Sequence, residues 1–116
     1  MNIDPIALVL LISLAGGLGS VIRVYITRWE GPVPFGVILT NTIAAGLIGY
    51  IYSGNLTEAY LLIASIGFAG GLSTFSGIAK AGFDFWHTGR IAQILISLAA
   101  NIVVPLLALM LVMYWF

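Results

Sequence analysis

Four long apolar runs separated by short clusters of charge make up this chain. Pro5 to Ile22 carries no charge and closes at Arg23, Arg28 and Glu30, and Gly31 to Thr57 is uncharged up to Glu58. Ala59 to Ala79 closes at Lys80, Asp84, His87 and Arg90, and Ile91 to Phe116 is the last run. An apolar run of about 20 residues has the length of a helix crossing a bilayer. The pattern predicts an all-α integral membrane protein. Its four transmembrane helices lie roughly over 5-26, 35-54, 59-79 and 91-115, in a single domain spanning 1-116. Pro32 and Pro34 mark the first loop, and Ser53-Gly54-Asn55 the second. Trp29, Tyr50, Tyr52, Tyr60, Trp86, Tyr114 and Trp115 fall near the ends of the runs, where interfacial aromatics sit.

The third run does not read smoothly. Gly70-Gly71-Leu72-Ser73-Thr74-Phe75-Ser76-Gly77 interrupts it with glycines and hydroxyls. Irregular backbone at membrane depth persists only where it is buried in protein or lines a wet cavity, because lipid offers no hydrogen bonds. A break over 70-77 is therefore expected, and with it a site inside the membrane.

Composition agrees: 61% of the 116 residues are hydrophobic and only 7% charged, with a mean hydropathy of +1.15. A soluble domain carries roughly 25% charge. With no cysteine, thiolate metal sites, disulfides and thiol catalysis are excluded. Net charge is zero and no basic run points to nucleic acid. So few helices do not enclose a pore alone, which makes an oligomer the expectation. The first run is not expected to be a cleaved signal, since Asp4 stands where a basic flank would. All four basic residues, Arg23, Arg28, Lys80 and Arg90, belong to the first and third loops or their helix ends. The positive-inside rule then places both termini outside.

The polar residues at depth carry the functional question. Asn41 stands midway along the second helix beside Thr40 and Thr42, and either helix stitching or ligand contact accounts for it. For Gly16-Gly17-Leu18-Gly19-Ser20, helix packing is the preferred reading. Ser97 and Asn101, four apart, share one face of the fourth helix, and Pro105 continues that stripe. Asn41, Ser73, Thr74, Ser76, Ser97 and Asn101 all donate hydrogen bonds, and none becomes anionic near neutral pH. No acidic residue lies within a span. A proton-coupled cation exporter of the small multidrug resistance type needs an embedded carboxylate, so that alternative is disfavoured. Neutral donors, helix-break amides and Arg23 suit an anion path. His87 reads as a solvated loop residue. No nucleophile–base pair, metal cluster or phosphate loop supports an enzyme.

Gly16-Gly17-Leu18-Gly19-Ser20-Val21-Ile22-Arg23, Pro34-Phe35-Gly36 running to Asn41, and Gly67-Phe68-Ala69-Gly70-Gly71-Leu72-Ser73-Thr74-Phe75-Ser76 together resemble the Fluc (CrcB) family of fluoride ion channels across nearly the whole chain. The resemblance implies an antiparallel dual-topology dimer in the plasma membrane of a prokaryote. Two fluoride pores would run along its interface and export fluoride passively from the cytoplasm. It implies pore-lining roles for Asn41, Phe75, Thr74, Ser76, Ser97, Asn101 and Arg23. It also implies a structural sodium ion on the dimer axis, held by the backbone carbonyls of Gly70 and Ser73. A ring edge such as that of Phe75 presents the positive side of the aromatic quadrupole to an anion.

The chain departs from the family pattern at three places. Gly77 and Ile78 stand where Thr-Phe is usual, Val37 replaces a threonine, and Pro105 replaces a small hydroxyl residue. With the one-sided basic residues, these departures frame a choice between a homodimer and one half of an antiparallel heterodimer with an oppositely oriented homologous subunit. A non-conducting structural subunit is the remaining alternative.

Overall fold

The first helix begins and ends where local chemistry places it. In the computed structural model, which describes residues 4–116, helix α1 spans Pro5–Ile26. The Asp4 side chain caps it by accepting from the Ile6 amide, and Pro5 occupies a first-turn position where no backbone donor is needed. Thr27 closes α1, its amide and hydroxyl both donating to the Arg23 carbonyl at 2.8 Å. The loop then folds back: Trp29 stacks on Phe35 with centroids 5.2 Å apart, and the Gly36 amide donates to the Trp29 carbonyl at 2.9 Å. Gly36 is required at that corner, because a Cβ there would lie against the Ile26 carbonyl and 2.7 Å from the Thr27 Cα.

Helix α2 covers Phe35–Ser53. The third span, Glu58–His87, is composite. It comprises α3 (Glu58–Leu62), a π-helical stretch (Ile63–Ala69), the short turn α4 (Gly70–Leu72) and α5 (Phe75–His87). Gly89, with φ +72°, turns the chain into α6, Ile91–Trp115.

The third span differs from the expectation in two respects. It runs on to His87 instead of ending at 79, because charge marks where a span leaves the bilayer, not where its helix must stop. Lys80 and Asp84, paired at 3.9 Å one turn apart, decorate that exposed extension. The break is also narrower than 70-77. Only Ser73 (ψ 156°) and Thr74 (φ −148°, ψ 119°) are extended, while Gly70 to Leu72 and Phe75 to Gly77 are helical. The π-helical stretch before the break has no counterpart in the sequence reading.

The break also changes the span's neighbours. Its first half packs on α1, and α5 packs on α6, which runs beside α2. Glycines set the first contact. A Cβ on Gly71 would strike the Gly16 backbone, and one on Gly19 would lie 2.9 Å from the Leu72 amide nitrogen. Such backbone proximity is how membrane helices gain packing without a hydrophobic drive between them. The α2–α6 contact uses Gly49, whose Cβ would stand 3.0 Å from Leu109. Ala44, Ala69 and Leu72 form the small core, flanked by Ile22, Leu47, Ile48 and Phe68.

The result is a slab of 53 × 31 × 17 Å. Only 6% of the apolar window of α1 and 11% of that of α6 are buried. A protein this open to apolar contact has lipid or a partner as its solvent. The molecule is an all-α, multi-pass integral membrane protein.

Candidate functional site

At the break, two residues leave the helical ladder and must find partners elsewhere. The Thr74 hydroxyl caps α5, accepting from the Gly77 amide at 2.9 Å, and lies 3.1 Å from the Ser76 hydroxyl. Gly77 suits this cap: a Cβ there would sit 2.9 Å from the Thr74 methyl and 3.1 Å from a Val37 methyl. The Thr74 backbone is satisfied from α2. Its amide donates to Asn41 Oδ1 at 2.7 Å, and its carbonyl accepts from Asn41 Nδ2 at 3.2 Å. Asn41 Nδ2 also donates to Asn101 Oδ1 at 3.0 Å, and Asn101 Nδ2 donates to the Ser97 carbonyl at 2.9 Å. A chain of hydrogen bonds thus links the break to α6 through the middle of the molecule.

These bonds have consequences for backbone carbonyls. In an unbroken helix the Thr74 amide would close on the Gly70 carbonyl, and the Gly77 amide on that of Ser73. Both amides are diverted, to Asn41 and to the Thr74 hydroxyl. The Gly70 carbonyl keeps a long contact from the Ser73 hydroxyl at 3.3 Å. Gly70 is exposed and Ser73 half-buried. Ser97 presents a different deficit: the residue is 2% exposed, and its hydroxyl lacks a hydrogen-bond partner among the described residues.

Toward the end of the molecule carrying the first and third loops, a cavity of about 640 Å³ opens beside the break, with Thr74 and Ser76 in its wall. Arg23, Lys80 and Arg90 line it together with Glu30 and Asp84, three basic groups against two acidic. The N-terminus of α5, where Thr74 and Ser76 sit, adds a partial positive charge. The cavity wall is therefore biased toward anions.

The sequence-derived candidates fall into three groups. Asn41, Thr74, Ser76, Asn101 and Ser97 meet in or beside the bonded chain. Arg23 is half-buried and shares the cavity with Thr74 and Ser76. Phe75 stands apart on the outer surface, 81% exposed. In the sequence Lys80 and Arg90 stand out only as orientation signals, yet both line the cavity. For Lys80 a signal existed: it follows Ser76 by four residues and so shares its helix face. The pairing of Asn41 with Thr74 had no such signal, because residues 33 apart are joined only by the fold.

Fold and site together define a small four-span membrane protein with neutral donors at depth and a basic-leaning vestibule. The chain belongs to the CrcB family: residues 10–113 match the family model described as CrcB-like protein, Camphor Resistance (CrcB). It is 35% identical over 115 residues to the "Fluoride-specific ion channel FluC" of Pyrococcus horikoshii, covering 91% of this chain and 90% of the relative. Against the protein of the same name from Serratia proteamaculans it is 33% identical, covering 90% and 93%. The "Fluoride-specific ion channel FluC 2" of Bacillus cereus is 28% identical, covering 84% and 87%.

Proposed function

We propose that this chain is a fluoride channel subunit that lets fluoride leave the cytoplasm passively, and that it is not an enzyme. The observation that carries the reading is likeness over about nine-tenths of the chain to relatives named as fluoride-specific channels. The physical setting supports it. Fluoride is small and strongly hydrated, so a path for it needs many hydrogen-bond donors that replace water without a single deep trap. Hydroxyls of Thr74, Ser76 and Ser97, the α5 N-terminus and the Arg23 side chain supply such donors. Carboxylates, which would repel the ion, are absent at that depth. The exposure of Phe75 supports a role for its ring edge at a subunit interface.

The working unit on this reading is an antiparallel dimer in the plasma membrane, with pores along the interface. The large uncovered apolar surface supports a partner there. A structural sodium ion on the dimer axis would be held by the carbonyls of Gly70 and Ser73. The diverted Thr74 and Gly77 amides support that assignment, since hard cations bind oxygen ligands and both carbonyls have lost their helical donors. With Arg28, Lys80 and Arg90 all toward the end of the molecule that carries the first and third loops, both termini face outward in this subunit.

The heterodimer reading is favoured by one specific feature. Gly77 and Ile78 follow the cap where a second ring would complete the family's Phe pair. A homologous partner inserted the opposite way would supply that ring to Phe75, giving one competent and one degenerate pore. The experiment is fluoride-electrode efflux from liposomes. Fluoride efflux selective over chloride is expected, and none from either the chain alone or the chain with an oppositely inserting homologue would sink the channel reading. Robust efflux from the chain alone would remove the heterodimer.

A further inference from the structure

We propose that Asn41 is a positioning residue: its carboxamide holds the break in the third span open and keeps the Thr74 amide off the Gly70 carbonyl, instead of binding the permeating anion itself. The consequence at Gly70 rests on the sodium reading above; the clamp on Thr74 does not.

A carboxamide has two N–H donors and one carbonyl oxygen. At Asn41 each has a partner inside the chain. Oδ1 accepts the Thr74 amide at 2.7 Å, and Nδ2 serves the Thr74 carbonyl at 3.2 Å and Asn101 Oδ1 at 3.0 Å. No donor is left over for an anion. The two bonds to Thr74 imitate the pairing of one strand residue with another, and they match its extended backbone. Lipid offers no replacement partners, so an extended residue at this depth requires such a side chain. Asn101, anchored to the Ser97 carbonyl at 2.9 Å, braces the clamp from α6. Without the Oδ1 acceptor, the Thr74 amide returns to its default helical partner, the Gly70 carbonyl. The clamp therefore couples α2 to the proposed cation ligand set.

Two variants separate the acceptor from the donors. Asn41→Asp keeps an oxygen for the Thr74 amide but loses both N–H bonds; Asn41→Ala loses all three. The test uses the full-length protein in detergent micelles and two readouts. The first is the rise in Tm when sodium replaces N-methylglucamine at constant chloride. The second is the Thr74 amide proton resonance. The expected result is that Asn41→Ala abolishes the sodium-dependent rise and moves the Thr74 proton upfield. Asn41→Asp retains the rise and moves that proton downfield, as a charged acceptor bonds more strongly. Should Asn41→Ala not assemble, Asn41→Ser, with a hydroxyl too short to span to Thr74, replaces it.

A wild-type sodium response kept intact by Asn41→Ala overturns the coupling, and an unmoved Thr74 resonance in both variants overturns the clamp. Fluoride titration that shifts the Asn41 side-chain amide protons does the same. A wild type with no sodium response overturns the cation-site coupling and the sodium reading together, and the Thr74 resonance then decides the clamp by itself.

Discussion

Gly16 and Gly71 meet backbone against backbone, so closely that a single added methyl on Gly71 would overlap the Gly16 carbonyl. One residue belongs to α1 and the other to the turn just before the break, so this contact holds the irregular half of the third span in place. The neighbouring residue Gly17 has open space around it. Gly71→Ala should therefore destabilise the protein by about 1–3 kcal/mol through overpacking, while Gly17→Ala should be neutral or stabilising, since glycine costs a helix about 1 kcal/mol relative to alanine. Unfolding by denaturant in mixed micelles, one variant beside the other, checks the contrast.

Asn101 and Ser97 share a helix face but not an energetic role. Asn101 accepts from Asn41 and donates to the Ser97 carbonyl, so Asn101→Ala leaves a half-buried donor of Asn41 unpartnered. A loss of about 1 kcal/mol follows. The Ser97 hydroxyl makes no bond among the described residues. Ser97→Ala should leave stability unchanged within about 0.5 kcal/mol while lowering fluoride efflux, if that hydroxyl serves the ion. Thermal unfolding and liposome efflux measured on the same preparations separate the two.

The vestibule charges should act through screening. Lys80 lines the cavity and pairs with Asp84 in a mostly exposed contact, of the kind that contributes little to stability. Lys80→Gln should lower efflux severalfold at about 10 mM ionic strength, where the Debye length is roughly 30 Å, and hardly at all near 1 M. Asp84→Asn should do the opposite. Efflux rates across a salt series check both, and a salt-independent effect would place Lys80 in packing instead of steering.

Ile78 tests the subunit composition. Ile78→Phe restores the second ring that the motif lacks, one turn along from Phe75 on α5. An aromatic contact is worth about 0.5–1.5 kcal/mol, so this variant alone should conduct about twofold to tenfold faster than the parent alone. The gain should shrink when a partner subunit already supplies a ring. Efflux assays with and without a co-reconstituted homologue give the comparison.

Much of this protein is legible in its sequence because a bilayer imposes a one-dimensional rule. Apolar runs bounded by Arg23, Glu58, Lys80 and Arg90 mark the spans, since charge is costly in hydrocarbon wherever it falls in the fold. Glycines and hydroxyls from Gly70 to Gly77 announce an irregularity for the same reason. Where that irregularity lies, and how wide it is, depended on partners elsewhere in the chain. Ser73 and Thr74 are extended because Asn41, on a different helix, completes the Thr74 backbone pair, and because Gly16 lets α1 approach Gly71. The sequence by itself determined a four-span membrane protein with neutral donors at depth. Only the tertiary structure decided that Asn41 spends its hydrogen bonds on the break, that Ser97 keeps its hydroxyl unspent, and that Lys80 joins Arg23 at one cavity. Hydrogen bonds between residues far apart in the chain follow from helix placement, which local pattern does not encode.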